Sequence, residues 1–183
     1  MRRGFTLIEL LIVIGILAIL AVVVILVLNP AQLLAQARDT QRISDLNSVK
    51  SAIGLYLTST SSPSLGTTAT CTASGCEIGG PFGSESVTSS TVVTGTGWVQ
   101  VNLTEATGGS SLAVLQLDPT NSSIYFYAYK ADNTNKTFEL DARLESTKYY
   151  GLMATDGGNK STCTNYTESS CYYEIGTDPG LDL

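Results

Sequence analysis

The segment FTLIELLIVIGILAILAVVVILVL, residues 5–28, is apolar or small at every position except Thr6 and Glu9. As a helix rising ~1.5 Å per residue it extends roughly 36 Å, enough to cross the hydrocarbon core of a bilayer. Beyond Pro30 the chain turns rich in Ser, Thr, Asn and Gly, and no second stretch of its 183 residues reaches that length and apolarity. One membrane segment with a single domain's worth of soluble body behind it is the organisation this predicts. Arg2 and Arg3 are the only charges ahead of the run, and positive residues stay on the cytoplasmic side. The precursor is therefore expected to be single-pass in the cytoplasmic membrane, N-terminus in and body out.

Cysteine usage fits that placement. Four cysteines and no histidine occur in the chain, as two local pairs, Cys71/Cys76 and Cys163/Cys171. Zinc sites favour C-x-x-C spacing or a histidine, and neither is present, so disulfides are expected in an oxidising compartment and no metal is assigned. Four cysteines permit three connectivities, of which local pairing is the expected one.

Glu9 is the anomaly. An ionised acid within a membrane helix costs roughly 3 kcal/mol on insertion scales, so it persists where it has a partner and a role. A cleavable secretory signal does not account for it, because such peptides carry a shorter apolar core followed by a small-residue cut site. Here the small residue, Gly4, comes before the run.

RRGFTLIELLIVIGILAIL resembles the class III signal of type IV pilins and pseudopilins, in which a basic leader ends in glycine, phenylalanine usually follows, and a glutamate comes four places later. Gly4, Phe5 and Glu9 fall on those positions, and the likeness runs more loosely through QARDTQRISDLNSVKSAIGLYL. The resemblance implies that a prepilin peptidase cuts between Gly4 and Phe5 and methylates the new amine of Phe5. It also implies that Glu9 pairs with the N-terminal amine of a neighbouring subunit as helices stagger into a filament. A glycine before the bond suits close approach by a protease, and burial makes an unpaired acid expensive, so pairing would fix register.

Behind the apolar run, Ile43, Leu46, Val49, Ile53 and Leu57 recur at helical spacing, with Arg42, Asp45 and Lys50 on other faces. Asn29-Pro30 is expected to kink or break the helix between the two halves. The polar stretch from Thr58 to Gly97 reads as a surface region pinned by Cys71 and Cys76. Phe138, Leu140, Ala142 and Leu144 alternate with Thr137, Glu139, Asp141 and Arg143, the period of a half-buried strand. Ile124–Tyr129 reads as its partner across KADNTNK, and Trp98–Leu103 and Leu112–Leu117 as further strands. The expected fold is α+β: a long N-terminal helix, membrane-spanning in its first half and amphipathic in its second, packed on a C-terminal antiparallel sheet. The expected division is 1–4 leader, 5–28 transmembrane and assembly helix, 29–57 amphipathic continuation, and 58–183 extracytoplasmic body with disulfide-bounded loops.

Catalytic chemistry is not legible. The commonest general base is missing, no phosphate loop or nucleophile motif occurs, and neither enzyme activity nor a cofactor is expected. Asp118, Asp132, Asp156 and Asp178 lack the spacing of a calcium loop and read as solvated surface. Sequons at Asn102, Asn121, Asn135, Asn159 and Asn165 are what chance gives in so Asn- and Thr-rich a chain. The formal net charge is −6 and becomes two units more negative without Arg2 and Arg3, which disfavours dedicated nucleic-acid binding. The resemblance implies a structural subunit whose partners are copies of itself, the prepilin peptidase, pilus or secretion assembly machinery and, as precursor, the membrane. Assembled subunits would form an extracellular or periplasmic filament. A pseudopilin of a type II secretion or DNA-uptake system shares every N-terminal residue argued here, and a non-polymerising membrane-anchored binding protein is the alternative of a different class.

Overall fold

The computed structural model describes residues 4–76, 86–163 and 171–183. It divides into two compact units, Met1–Ala35 and Gln36–Leu183.

The first unit is dominated by α1, Leu7–Leu28. Its large apolar side chains are exposed on every side, from Leu7 at 81% to Val13 at 44%, so no face is reserved for this chain's own core. Among the described residues it is the one helix long and apolar enough to cross a membrane, with a mean hydropathy of 3.3 over Leu7–Ile25. It stops at Asn29, whose φ of 40° lies in the left-handed region that asparagine tolerates better than most residues. Pro30 then opens α2, Pro30–Ser59, at the position where its missing N–H costs nothing. The Asn29 carbonyl accepts from the N–H groups of Gln32 and Leu33 at 2.9 and 3.3 Å, so the expected break at Asn29-Pro30 is a cap exchanged between two helices.

In the second unit α2 buries Leu46, Val49, Ile53 and Tyr56, spaced three and four apart. The face it packs on is a five-stranded sheet formed by β1 (Thr70–Cys71), β2 (Ser86–Val87), β3 (Tyr127–Asp132), β4 (Thr137–Ala142) and β5 (Tyr173–Gly176), in the order β2-β1-β3-β4-β5. The architecture is α+β as the sequence predicts, but the sheet is mixed. β1 and β2 are parallel, while β1–β3, β3–β4 and β4–β5 are antiparallel. A parallel neighbour cannot be joined by a tight hairpin, and residues 72–85 separate β1 from β2 in the sequence. In the β3–β4 hairpin the Asp132 carboxylate accepts from the N–H groups of Thr134 and Asn135 at 2.6 and 3.1 Å and so closes the turn of KADNTNK.

Register assigns the two faces. Tyr127, Tyr129 and Ala131 stand opposite Ala142, Leu140 and Phe138 and form the core with α2. Ala128 stands opposite Asp141, and Asp141 opposite Glu174, on the other face. That second face is buried too, which corrects the half-buried reading of this strand: Glu139 and Asp141 are fully buried and Arg143 nearly so. Phe126, Ala128 and Tyr172 pack there against Ala69, Cys71, Ala73 and Cys76. The Thr58–Gly97 stretch is thus only in part a surface region, since Leu65, Thr70 and Cys71 lie inside.

Two expected strands are absent. Trp98–Leu103 and Leu112–Leu117 are irregular segments bonded to their surroundings one group at a time. The Trp98 N–H donates to Ser90 O at 3.0 Å, its indole to Gln116 O at 2.9 Å, and the Leu115 N–H to Thr91 O at 2.7 Å. Trp98, Val99, Val101 and Leu103 are all buried, so their apolarity reports insertion into the core and not alternation across a sheet. Gly97 makes the tight fit possible, because a Cβ there would collide with the Val92 carbonyl and the Leu115 side chain.

Candidate processing and assembly site

Gly4, Phe5, Thr6 and Glu9 lie together at the start of α1. A Cβ on Gly4 would meet nothing within 4 Å, and Phe5 is 79% exposed, so the Gly4–Phe5 bond is open to another molecule. Thr6 is the N-cap of α1, its Oγ1 accepting from the Glu9 N–H at 3.3 Å. Thr6 and Glu9 therefore have the spacing of a capping box. A carboxylate in the first turn also faces the positive end of the helix dipole. The sequence reading missed this local role, although TLIE directly before an apolar run is its signature.

The structure joins Cys71 to Cys76, five positions apart, and Cys163 to Cys171, eight positions apart. The first pair belongs to the buried layer over the second sheet face. The loop of the second pair, 164–170, lies outside the described residues.

Two buried ion clusters in the body escaped the sequence reading. The first centres on Arg42, fully buried although the helical spacing placed it away from the core face. Its guanidinium donates to both oxygens of Asp118 at 2.6 and 3.1 Å, to Asp39 at 2.8 Å and to Glu145 at 2.7 Å, and it lies 4.8 Å from the centre of the Tyr125 ring. Asp39 in turn accepts from the N–H groups of Glu145 and Ser146. Arg38 adds a two-pronged pair to Glu145 at 2.6 and 2.8 Å. Together these bonds clip α2 to the segments around Asp118 and Glu145. Burial alone would raise the Glu145 carboxyl, but the hydrogen bonds and charges of Arg38 and Arg42 outweigh it and hold the group below its ordinary value. A carboxyl depressed by folding adds stability above its unfolded pKa of about 4.3, and that share is lost as pH falls through the folded value. The gap in urea midpoint between wild type and Glu145→Gln should accordingly shrink on acidification from about pH 6 to below about pH 4. A gap independent of pH would contradict the assignment.

The second cluster lies on the sheet face opposite α2. Lys160 Nζ sits 3.0 Å from Glu139 Oε1, 3.1 Å from Glu174 Oε1 and 3.5 Å from Asp141 Oδ2. Lys160 is 6% exposed and the three acids are fully buried. Glu139 Oε2 also accepts from the Leu183 N–H at 3.0 Å, and Glu174 Oε2 from the Lys160 N–H at 2.9 Å. Burial, and next the charge of Glu139, push the Asp141 carboxyl well above the usual carboxylate range, and burial pushes Glu174 up to about 7. For Lys160 the burial effect is outweighed by the charges of Asp141 and Glu139, so the ammonium is held more firmly than usual. Carboxylate oxygens of Glu139, Asp141 and Glu174 come within 4.8 Å of one another, a metal-ligand spacing, but here the Lys160 ammonium supplies the positive charge among them.

Of the loop aspartates Asp118 is buried, contrary to the solvated reading, while Asp132, Asp156 and Asp178 stay partly exposed and bond locally. Asp118 holds Arg42, Asp132 closes its turn, Asp156 accepts from the N–H groups of Gly158 and Glu174, and Asp178 accepts from the Thr137 hydroxyl.

Residues 1–25 match the prokaryotic N-terminal methylation motif. This motif is the class III signal that type IV pilins and pseudopilins carry at their N-termini. The motif implies processing by a prepilin peptidase and assembly into a filament. No curated protein and no solved structure matches the chain.

Proposed function

We propose that this chain is the precursor of a structural subunit of a type IV pilus-like filament, inserted N-in and C-out, cleaved after Gly4, N-methylated on Phe5 and polymerised through α1. Residues 1–4 are then the leader, 5–28 the assembly helix, 29–57 its amphipathic continuation and 58–183 the extracytoplasmic body. The observation that carries the reading is the methylation motif over residues 1–25, continued by a helix whose apolar side chains are exposed all round. Such a surface needs lipid before assembly and neighbouring helices after it. Glu9 is the one acid in that surface, and its partner is the methylated amine of a neighbour's Phe5. The motif is common to pilins and pseudopilins, so the proposal extends to a pseudopilin of a secretion or DNA-uptake machine.

N-terminal sequencing of protein recovered from native membranes or filaments should return N-methylated Phe5 as the first residue. Recovery of mature material that still begins at Met1 would sink the proposal.

A further inference from the structure

The Lys160 cluster asks for an explanation that an ordinary ion pair does not give. Three carboxylates and one ammonium share a buried site, and like charges cannot all remain ionised at such separations. Asp141 stands out among the three. Both of its oxygens are buried without a hydrogen-bond donor among the described residues, whereas Glu139 and Glu174 each accept from Lys160 and from a backbone N–H. Asp141 is thus the member that keeps its proton, and as an acid it can donate to Glu139. That leaves a neutral carboxylic acid, a lysine nitrogen 3.5 Å from its Oδ2, and a glutamate 3.0 Å from that nitrogen with an oxygen within 4.8 Å of the acid.

We infer that Lys160 and Asp141 form an intramolecular isopeptide bond, with Glu139 as the proton shuttle. Glu139 takes one proton from the ammonium, and the freed amine attacks Cγ of the Asp141 acid, forming the C–N bond. In the tetrahedral adduct Glu139 returns its proton to one hydroxyl, which leaves as water as the C–O bond breaks, and takes a second proton from nitrogen. The products are a secondary amide, one water and a protonated Glu139, so atoms and charge balance and no oxidant or activating nucleotide is needed. Two buried charges, on Lys160 and Glu139, are removed and one water is released to solvent, both favoured because charge inside a protein is costly. Glu174 holds the lysine from the other side and faces Asp141 directly across β4 and β5. The bond would tie the segment before Cys163 covalently to β4, which lies between β3 and β5.

Intact mass of the folded full chain, after reduction of its disulfides, should fall one water short of the sequence formula corrected for N-terminal processing. Trypsin should then leave Lys160 uncut and yield a branched peptide joining residues 137–143 to residues 149–183. Lys160→Arg should restore the full mass, and Glu139→Gln should accumulate uncross-linked protein. A wild-type mass equal to the formula would overturn the inference. So would a water deficit that maps to Asp156–Gly157, where cyclisation to a succinimide loses the same mass. If Lys160→Arg fails to fold, the branched peptide of the wild type decides alone.

Discussion

Arg42→Ala should lower the unfolding free energy of the body by about 3–5 kcal/mol, the usual cost of removing one partner from a buried ion pair. The change strands Asp39 and Asp118, both buried, without the cation that both now share. It also frees α2 from the Asp118 segment, while Glu145 stays tied to α2 through Arg38 and Asp39. Against a total stability of roughly 5–15 kcal/mol such a loss leaves the body marginal. Arg42→Lys should recover only part, since a point charge cannot reproduce the two-pronged contact with Asp118 while reaching Glu145. Urea titration of the full chain in detergent, followed by the fluorescence of Trp98, the single and fully buried tryptophan, provides the measurement. An Arg42→Ala midpoint indistinguishable from wild type would show that the network contributes no net stability.

Glu9→Ala should leave the precursor inserted and processed while sharply reducing assembly. The structure makes the experiment easier to interpret, because the Thr6 cap bonds the backbone N–H of residue 9 and survives loss of the side chain. Alanine also favours helix and lowers the cost of insertion. The one local loss is the carboxylate's contact with the positive end of the helix dipole, a fraction of the effect expected on assembly, so a sharp defect points to what the carboxylate does between molecules. A lost coupling of only 1.4 kcal/mol per docking event is already about tenfold in affinity. Normal filament yield from Glu9→Ala subunits in otherwise wild-type cells would refute the pairing.

The parts legible in advance were those written in contiguous residues. The leader glycine, the phenylalanine, the acid and the apolar run occupy one short stretch, and the break at Asn29-Pro30 is a two-residue signal. The two ion clusters were not legible, because periodicity assigns a charged residue to water unless its partner is in view. Arg42 and Asp118 are 76 positions apart, and Lys160 meets Glu139 across 21. Alternation along Thr137–Arg143 correctly reported two faces but could not report that the second is buried against Lys160, Tyr172 and Leu183. Trp98–Leu103 failed for the converse reason. Burial of an irregular segment gives an apolar run without a strand, and the hydrogen bonds that permit it come from residues about eight to eighteen positions away.

The uniform exposure of α1 carries a consequence for symmetry. A helix that is equally greasy at every azimuth can pack against neighbours in any rotational setting at nearly equal energy, as apolar contact is non-directional. In a polymer of the proposed kind the hydrophobic rod would hold subunits together without dictating the angle between successive ones. Twist and rise would then be set by the elements that do have direction, the carboxylate at position 9 and the surface of the folded body. Variants of that surface would be expected to change the helical parameters of a filament while leaving its cohesion intact.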